Sequence, residues 1–330
     1  VTVRPQAAVR PQALVLTHVF PDLAPERAVL EPQGIDVIDG ARLEPSARLA
    51  AAESCDALLV QDTPIDAAFI ARLARCRVLG LYGAGVDNAD VGAALRRGLA
   101  VVHVPDYGTE EVADHALCLL LACARGLAPL AAALRAGAWD YGTTARPLHR
   151  IRGRTLGVVG LGRIGRRLAA KARALELRVL GTDPTVGPVE AAAAGIEWRP
   201  LPALLAESDF VSLHAPLVPA TEGLIGQAEL ARLHPGAYLI NVARGGLVDE
   251  TALLEALDRR QIAGAGLDVL AVEPAAADHP LIGHPRVVMT PHSAWYSEEA
   301  MHDLKRLLAE DVLRVLRGEP PRCPVTGPAA

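Results

Sequence analysis

Thr155-Leu-Gly-Val-Val-Gly160-Leu-Gly162-Arg163-Ile164-Gly165 is an apolar run closed by three glycines, and Arg166-Arg-Leu-Ala-Ala-Lys-Ala-Arg-Ala-Leu-Glu176 follows it directly. Residues 155–159 read as a buried strand, and the stretch after Gly165 has the composition and period of a helix. The segment is therefore strand, tight turn and helix. The spacing of Gly160, Gly162 and Gly165 fits G-x-G-x-x-G, in which the glycines permit the turn, bring backbone up to a pyrophosphate and let the helix pack closely on the strand. The helix N-terminus then turns its N–H groups and partial positive charge toward the phosphates. Glycine-rich turns are common, so a second feature has to support the reading. Arg178-Val-Leu-Gly-Thr-Asp183 is another strand, and it ends in a carboxylate 18 residues after Gly165, near the position where an acid bonds the adenosine ribose hydroxyls. Pro184 and Thr185 follow, with no adjacent arginine for a 2′-phosphate, so NAD is expected rather than NADP.

At 330 residues the chain is too long for one ordinary core and suits two domains. With 51% apolar and 22% charged residues it is expected to fold as a soluble protein. A net charge of −5 argues against a nucleic-acid surface, which needs clustered positive charge. The first residues, with two Arg-Pro-Gln triplets, read as a loose tail and lack the apolar stretch of a secretory signal. The longest apolar run, 116–124, falls far short of the roughly 18 residues of a membrane span, so no membrane association and a cytoplasmic location are expected. Cys55, Cys76, Cys118, Cys123 and Cys323 are odd in number and scattered, which favours buried thiols over disulfides or a zinc site. His279, His284 and His292 have no metal-ligand spacing, and no metal is expected.

Short apolar runs at 13–20, 35–38, 57–60, 78–82 and 100–104 alternate with Ala/Arg/Glu stretches, the pattern of a small doubly wound α/β unit. The fourth run leads into Tyr82-Gly83-Ala84-Gly85-Val86-Asp87-Asn88, a glycine loop at a strand C-terminus, where open α/β sheets place ligands; a strained turn is the alternative. A helix is expected from about 110 to 125, with Thr109 as its N-cap. Its half from 116 to 124 is apolar on every side, so burial all round is expected, between domains or against a second subunit. Residues 137–151, with Trp139, Tyr141 and Arg146, read as an irregular connection. Strands then recur at 210–213, 237–241, 265–270 and 287–290, and a last helix at about 297–317 has apolar residues at helical spacing and stops at Gly318. If that helix returns to the first unit, the domains are 105–292, inserted, and 1–104 with 293–330. Pro105 and Pro291 near the crossings suit a hinge.

Three residues stand after strands of the inserted domain. Arg244 can hold a carboxylate with two parallel hydrogen bonds and polarise a neighbouring carbonyl, though alone it would read as a surface ion pair. Glu273 alone is an ordinary exposed acid, and His292 alone is more often structural. Together they make a consistent set for reducing a 2-oxo acid: a cation for the carboxylate, and a proton donor whose protonated form a nearby carboxylate favours.

Gly83-Ala-Gly-Val-Asp-Asn, Gly160-x-Gly-x-x-Gly165, Asn241-x-Ala-Arg-Gly, Leu-Asp268-Val with Glu273-Pro, and Thr290-Pro-His292 resemble, in order, the motifs of NAD-dependent D-2-hydroxyacid dehydrogenases. The resemblance runs from about residue 55 to 317. It implies a Rossmann NAD-binding domain inserted into a flavodoxin-like substrate domain, two doubly wound parallel α/β sheets in all. It implies Arg244 as substrate binder, His292 as acid/base and Glu273 as its partner. Cofactor contacts are implied for Thr109, Gly160, Gly162, Arg163, Ile164, Gly165, Ala215, Pro216, Thr221, Val242, Ala243 and His292. Asp183 would take the ribose and Asp268 the nicotinamide carboxamide. Tyr82, Gly83, Ala84 and Gly85 would meet the substrate, and Trp295 would wall its pocket or pack at the domain seam. A homodimer through the nucleotide domain is implied as well. Thr290-Pro-His-Ser-Ala-Trp295-Tyr is most similar to the C-terminal-binding-protein branch, which holds both NAD(H)-binding scaffolds and enzymes. Two alternatives to a D-2-hydroxyacid dehydrogenase remain: a redox-sensing scaffold of that branch and, separately, a dehydrogenase of a substrate with another oxyanion such as a phosphonate.

Overall fold

The computed structural model of the chain describes residues 10–140 and 147–327. Residues 1–9 of the tail expected at 1–12, and Tyr141 and Arg146 of the expected connection, lie outside the described residues; the end of that tail is ordered instead, with Arg10 paired to Asp36 and Gln12 opening the first strand. The chain divides into two compact units, Val1–Gly108 with Ser297–Ala330, and Thr109–Tyr296. The crossings therefore fall a few residues beyond Pro105 and Pro291. Val104 N still donates to Gly83 O inside the first unit, while the N–H groups of His292, Ser293 and Ala294 are bound to Asp268 inside the second.

The first unit runs β1 (Gln12–Val15), α1 (Ala24–Leu30), β2 (Asp36–Asp39), α2 (Pro45–Ser54), β3 (Ala57–Val60), α3 (Ala67–Arg72), β4 (Val78–Leu81), α4 (Val91–Arg96) and β5 (Ala100–His103). All pairings are parallel, in the order β2-β1-β3-β4-β5, which is the flavodoxin-like winding. β3 and β4 are buried at every residue, the reason their sequences are unbroken apolar runs rather than alternating ones. Asp66 and Asp90 cap α3 and α4 by accepting from Phe69 N and Ala93 N. The first strand is shorter than the apolar run 13–20, because Val19 N turns to the Gln61 side chain and Phe20 stacks on His18.

The second unit opens with α5 (Thr109–Ala124) and α6 (Leu127–Arg135) and continues through β6 (Thr155–Val159), α7 (Arg163–Ala174), β7 (Arg178–Thr182), α8 (Pro188–Ala193), β8 (Glu197–Trp198), α9 (Leu201–Glu207), β9 (Phe210–Leu213), α10 (Gln227–Leu230), β10 (Tyr238–Asn241), α11 (Glu250–Asp258), β11 (Gly264–Leu267) and β12 (Val287–Met289). Its parallel sheet has the order β12-β11-β10-β9-β6-β7-β8, the Rossmann winding extended by one strand. The two-residue β8 has no periodicity to betray it in sequence.

One expectation for α5 needs correction. Thr109 is the first helical residue and not a side-chain cap, since its buried Oγ1 has no hydrogen-bond partner. Within the single chain Ala116, Leu119, Leu120, Cys123 and Ala124 of the apolar half face the core, whereas Cys118 is exposed and Leu117, Leu121 and Ala122 are half-buried. The helix lies close on β11, where a Cβ on Gly266 would come within 2.9 Å of Leu119.

α12 (Glu298–Leu316), capped by Ser297 Oγ accepting from Ala300 N, closes the first unit. It packs on β4 where Gly80 leaves room, since a Cβ there would stand 3.3 Å from Leu308 and Val312. This brings Lys305, 2% exposed, into the core. Its Nζ donates to Asp22 O at 2.5 Å and lies 3.6 Å from the Glu26 carboxylate, which also accepts from Tyr82 Oη at 2.7 Å. Burial pushes the Glu26 carboxyl above its ordinary value against the pull of Tyr82 and Lys305. The chain then returns along β5, with Asp311 accepting from Arg322 N and Cys323 N and Val325 N donating to Val101 O. Removing one partner of a buried ion pair strands the other. Lys305→Met is therefore expected to destabilise the chain by about 3 kcal/mol in urea unfolding, with part of the loss restored by a second change, Glu26→Gln; additive losses would show that the pair is not coupled.

Candidate active site

The three glycines between β6 and α7 serve three different ends. Gly160 has φ +96°, and a Cβ there would stand 2.6 Å from the His214 carbonyl carbon. At Gly165 a Cβ would stand 2.1 Å from Gly160 O, so that glycine lets α7 lie on the turn. Gly162 is different: a Cβ there meets nothing within 4 Å. It is also the residue before the first turn of α7, where no side chain caps the N–H groups. Arg163 and Ile164 open that turn. Asp183, at the end of β7, accepts from Leu161 N at 2.8 Å and from Thr185 N and Oγ1, and these bonds hold its carboxyl below the usual range although burial works the other way. Uncapped N–H groups, open space over Gly162 and the orphaned Thr109 hydroxyl suit a dinucleotide, so the residues present fit NAD.

The remaining sequence-predicted positions of this unit follow the carboxyl ends of its strands. Ala215, Pro216 and Thr221 come after β9, where Thr221 Oγ1 donates to Pro216 O and accepts from Val218 N. Val242 and Ala243 come after β10, where Ala243 N donates to the Asn241 side chain and Asn241 Nδ2 donates to Arg244 O. That loop lies against the one after β11 because residue 245 is glycine; a Cβ would stand 1.9 Å from the Leu270 carbonyl carbon.

His292 and Glu273 are joined by a 2.5 Å bond from Nδ1 to Oε2. The other Glu273 oxygen accepts from Leu270 N at 2.9 Å, so the carboxylate is aimed by its own loop. The bond to Glu273 raises the His292 pKa above 6.5, with burial opposing it and the Arg244 charge opposing it further. For Glu273 burial alone would raise the value, but the His292 bond and charge, with Leu270 N and Arg244, hold it below 4.5. Arg244 Nη1 donates to Ala243 O. The group thus holds a cation, and an imidazole whose Nδ1 is committed to a carboxylate, leaving Nε2 to exchange a proton.

His292 has φ +50°, a left-handed conformation rare outside glycine and asparagine. Asp268 imposes it. Its backbone carbonyl accepts from His292 N at 2.7 Å, and its buried carboxylate accepts from Ser293 N, Ala294 N and Thr290 Oγ1. Thr290 Oγ1 is in turn 2.8 Å from His115 Nε2 on α5. Since the threonine proton goes to Asp268, the imidazole donates to the hydroxyl. Sequence reasoning misses His115, because its partners lie far downstream and nothing local marks it. Trp295 packs edge-on against Tyr296 with ring centroids 5.7 Å apart.

In the first unit, the N–H groups of Gly83, Ala84, Gly85 and Val86 donate to none of the described residues, and Gly83 has φ +129°. Tyr82 gives its hydroxyl to Glu26 and its N–H to Val60 O, and it is 7% exposed.

A doubly wound nucleotide-binding unit with a histidine–glutamate pair and an arginine after its strands defines a dinucleotide-linked α/β protein. The family description "D-isomer specific 2-hydroxyacid dehydrogenase, NAD binding domain" matches residues 117–294. The chain is 43% identical over 272 residues to D-3-phosphoglycerate dehydrogenase of Mycobacterium leprae, covering 82% of this chain and 51% of that protein. It is 40% identical over 272 residues to glyoxylate reductase of Korarchaeum cryptofilum, covering 82% of each. Its fold matches that of the TT0316 protein from Thermus thermophilus with a TM-score of 0.86 and 37% identity, over 96% of this chain and 100% of that one. The chain therefore belongs to the D-isomer-specific 2-hydroxyacid dehydrogenase family and carries its NAD-binding domain. It spans about half the length of the D-3-phosphoglycerate dehydrogenases it matches.

The glycines separate binding from packing. Gly162→Ala is expected to leave stability within about 0.5 kcal/mol while weakening NADH at least tenfold by fluorescence titration, whereas Gly165→Ala should cost about 1–3 kcal/mol in urea unfolding. Unchanged NADH affinity in Gly162→Ala would place the pyrophosphate elsewhere.

Proposed function

We propose that the chain is an NAD-dependent dehydrogenase that interconverts a D-2-hydroxy acid and its 2-oxo acid. The 2.5 Å bond between His292 and Glu273, within reach of the Arg244 charge, carries the reading. NAD supplies the hydride acceptor or donor when bound. Arg244 holds the substrate carboxylate in its fork and polarises the adjacent carbonyl. His292, whose protonated form Glu273 favours, gives its Nε2 proton to the developing alkoxide in reduction and takes it back in oxidation. Asp268 holds the loop that aims the ring. In the cofactor subsite, Gly160 to Gly165 and the start of α7 take the pyrophosphate and Asp183 the ribose hydroxyls, while Thr109, Ala215, Pro216, Thr221, Val242 and Ala243 line the rest.

The scaffold alternative is disfavoured because docking alone does not require Arg244, Glu273 and His292 together. The family relatives named for phosphoglycerate and glyoxylate set the scope of the substrate panel: glyoxylate, hydroxypyruvate and its phosphate, phenylpyruvate, 4-methylthio-2-oxobutyrate and a phosphonate analogue. Oxidation of NADH by at least one member is the expected outcome; tight NADH binding with no turnover on any would favour the scaffold. A second copy of the chain is the proposed partner, since Leu127 and Leu134 on α6 are 56% and 54% exposed and Trp139 just beyond it is 90% exposed. A single-chain mass by sedimentation would overturn that.

His292→Ala is expected to lower turnover about a hundred- to ten-thousand-fold with NADH affinity within a few fold of the parent. The pH profile tests the pair itself. Reduction needs the protonated ring, so its rate should hold past pH 6.5 and fall as pH rises through the raised His292 value. Glu273→Gln removes the stabilising charge and should move that limb to lower pH, with oxidation gaining its base at lower pH as well. An unmoved limb would remove Glu273 from the assignment. The pair's contribution to stability follows the same values: it is present between them, and lost as pH falls through the depressed Glu273 value or rises through the elevated His292 value.

A further inference from the structure

The first unit holds two cysteines at the same height on neighbouring strands. Cys55 ends α2, Cys76 follows α3, and β3 and β4 begin two residues after each. Ala57 pairs with Val78, so one step and then another toward the amino end bring Cys55 opposite Cys76. Arg77 N donates to Asp56 O at 2.9 Å, which carries the pairing beyond the strand ends. Matched residues on adjacent parallel strands stand about 4.8 Å apart with side chains on one face, inside the roughly 4.4–6.8 Å that a disulfide spans between Cα atoms. The two side chains belong to one packed cluster, Cys55 buried within it and Cys76 against it. Each also points at a neighbouring carbonyl, Cys55 Sγ at Ala52 O and Cys76 Sγ at Val78 O, both at 3.2 Å. Both are thiols in this structure.

We propose that Cys55 and Cys76 form a dithiol site that hydrogen peroxide, or another two-electron hydroperoxide, closes into a disulfide across the amino ends of β3 and β4.

The two sulfurs are unequal. The neighbouring Cys55 thiol holds the Cys76 thiol below its usual value against burial, while Cys76 in turn, together with burial, pushes Cys55 up. Cys76 is half-buried and Cys55 fully buried, so the more acidic sulfur is also the one that an oxidant reaches. The Cys76 thiolate attacks one peroxide oxygen: an S–O bond forms, the O–O bond breaks, and the departing hydroxide takes up the proton that the thiol released, leaving as water. Cys76 is then a sulfenic acid, oxidised by two electrons at the expense of the peroxide. The Cys55 sulfur attacks Cys76 Sγ and gives up its thiol proton; the S–O bond breaks, and hydroxide with that proton leaves as a second water. Two thiols and one peroxide become one disulfide and two waters.

The other cysteines differ in setting. Cys118 is exposed on α5 with no thiol partner, and burial pushes Cys123 up to about 12, which leaves it inert. The bridge would lie at the amino ends of the strands, away from the glycine loop that follows β4. It joins segments separated by β3 and α3, so it restricts the unfolded chain and should raise the thermal midpoint by several degrees.

The test is a peptide map of the whole protein after one equivalent of hydrogen peroxide and alkylation. A Cys55–Cys76 linked peptide, loss of two of the five thiols per chain and reversal by dithiothreitol are expected. Cys55→Ser should leave a sulfenic acid at Cys76 that dimedone traps, and Cys76→Ser should leave residue 55 a thiol. The map of the unsubstituted protein stands even if either variant fails to fold. Oxidation at Cys118 or Cys323 while Cys55 and Cys76 stay reduced would overturn the proposal, as would sulfinic acid at Cys76 without the linked peptide.

Discussion

The second unit's chemistry depends on one buried carboxylate. Asp268, 1% exposed, accepts hydrogen bonds from Ser293 N, Ala294 N and Thr290 Oγ1, and its own carbonyl accepts from His292 N. A left-handed histidine is unfavourable by itself, and the four bonds over-determine the loop that holds it. Everything else at that edge is arranged around this loop. Glu273 meets a ring whose backbone is already fixed, so the bond between them sets proton affinity and not position. Through Thr290 the same carboxylate reaches His115 on α5, which ties the loop to the helix whose inner face packs on β10 and β11.

Much of this is legible in the sequence, and the parts that are not share a cause. Gly160, Gly162, Gly165 and Asp183 are local: their spacing encodes a turn and a strand end, and the structure places them there. Arg244, Glu273 and His292 are legible only as a set, since each alone has a commoner explanation. The strand runs are readable because a parallel sheet covered on both faces leaves unbroken apolar segments. What fails depends on distant partners. That the Tyr82 hydroxyl goes to a buried Glu26, 56 residues away in the chain, is written nowhere near it in sequence. The apolar half of α5 is expected to be covered on all sides, but composition cannot say which neighbours arrive. Thr109 has the chemistry of a cap and lies one residue too far into the helix to be one.

The two units answer the problem of buried charge in different ways. In the second, Asp268 is satisfied by backbone donors and a hydroxyl, which need no counter-ion. In the first, Glu26 relies on Tyr82 and on Lys305, whose Nζ is spent on Asp22 O and on nearness to two carboxylates. The first solution is local, because its donors all lie between Thr290 and Ala294 on one loop. The second joins three segments far apart in the chain, so it specifies which helix may cover β4.

That helix is also the last of the described helices in chain order. The first unit is assembled from two stretches of chain separated by the whole of the second, and α12 supplies both the cover for Gly80 and the cation beside Glu26. Without α12, β4 and β5 lack the helix that packs on them and Glu26 lacks its nearby cation. The contacts that finish the first unit thus join residues as many as 284 positions apart, and the loop-closure entropy of such a pairing grows with the length of chain between its ends.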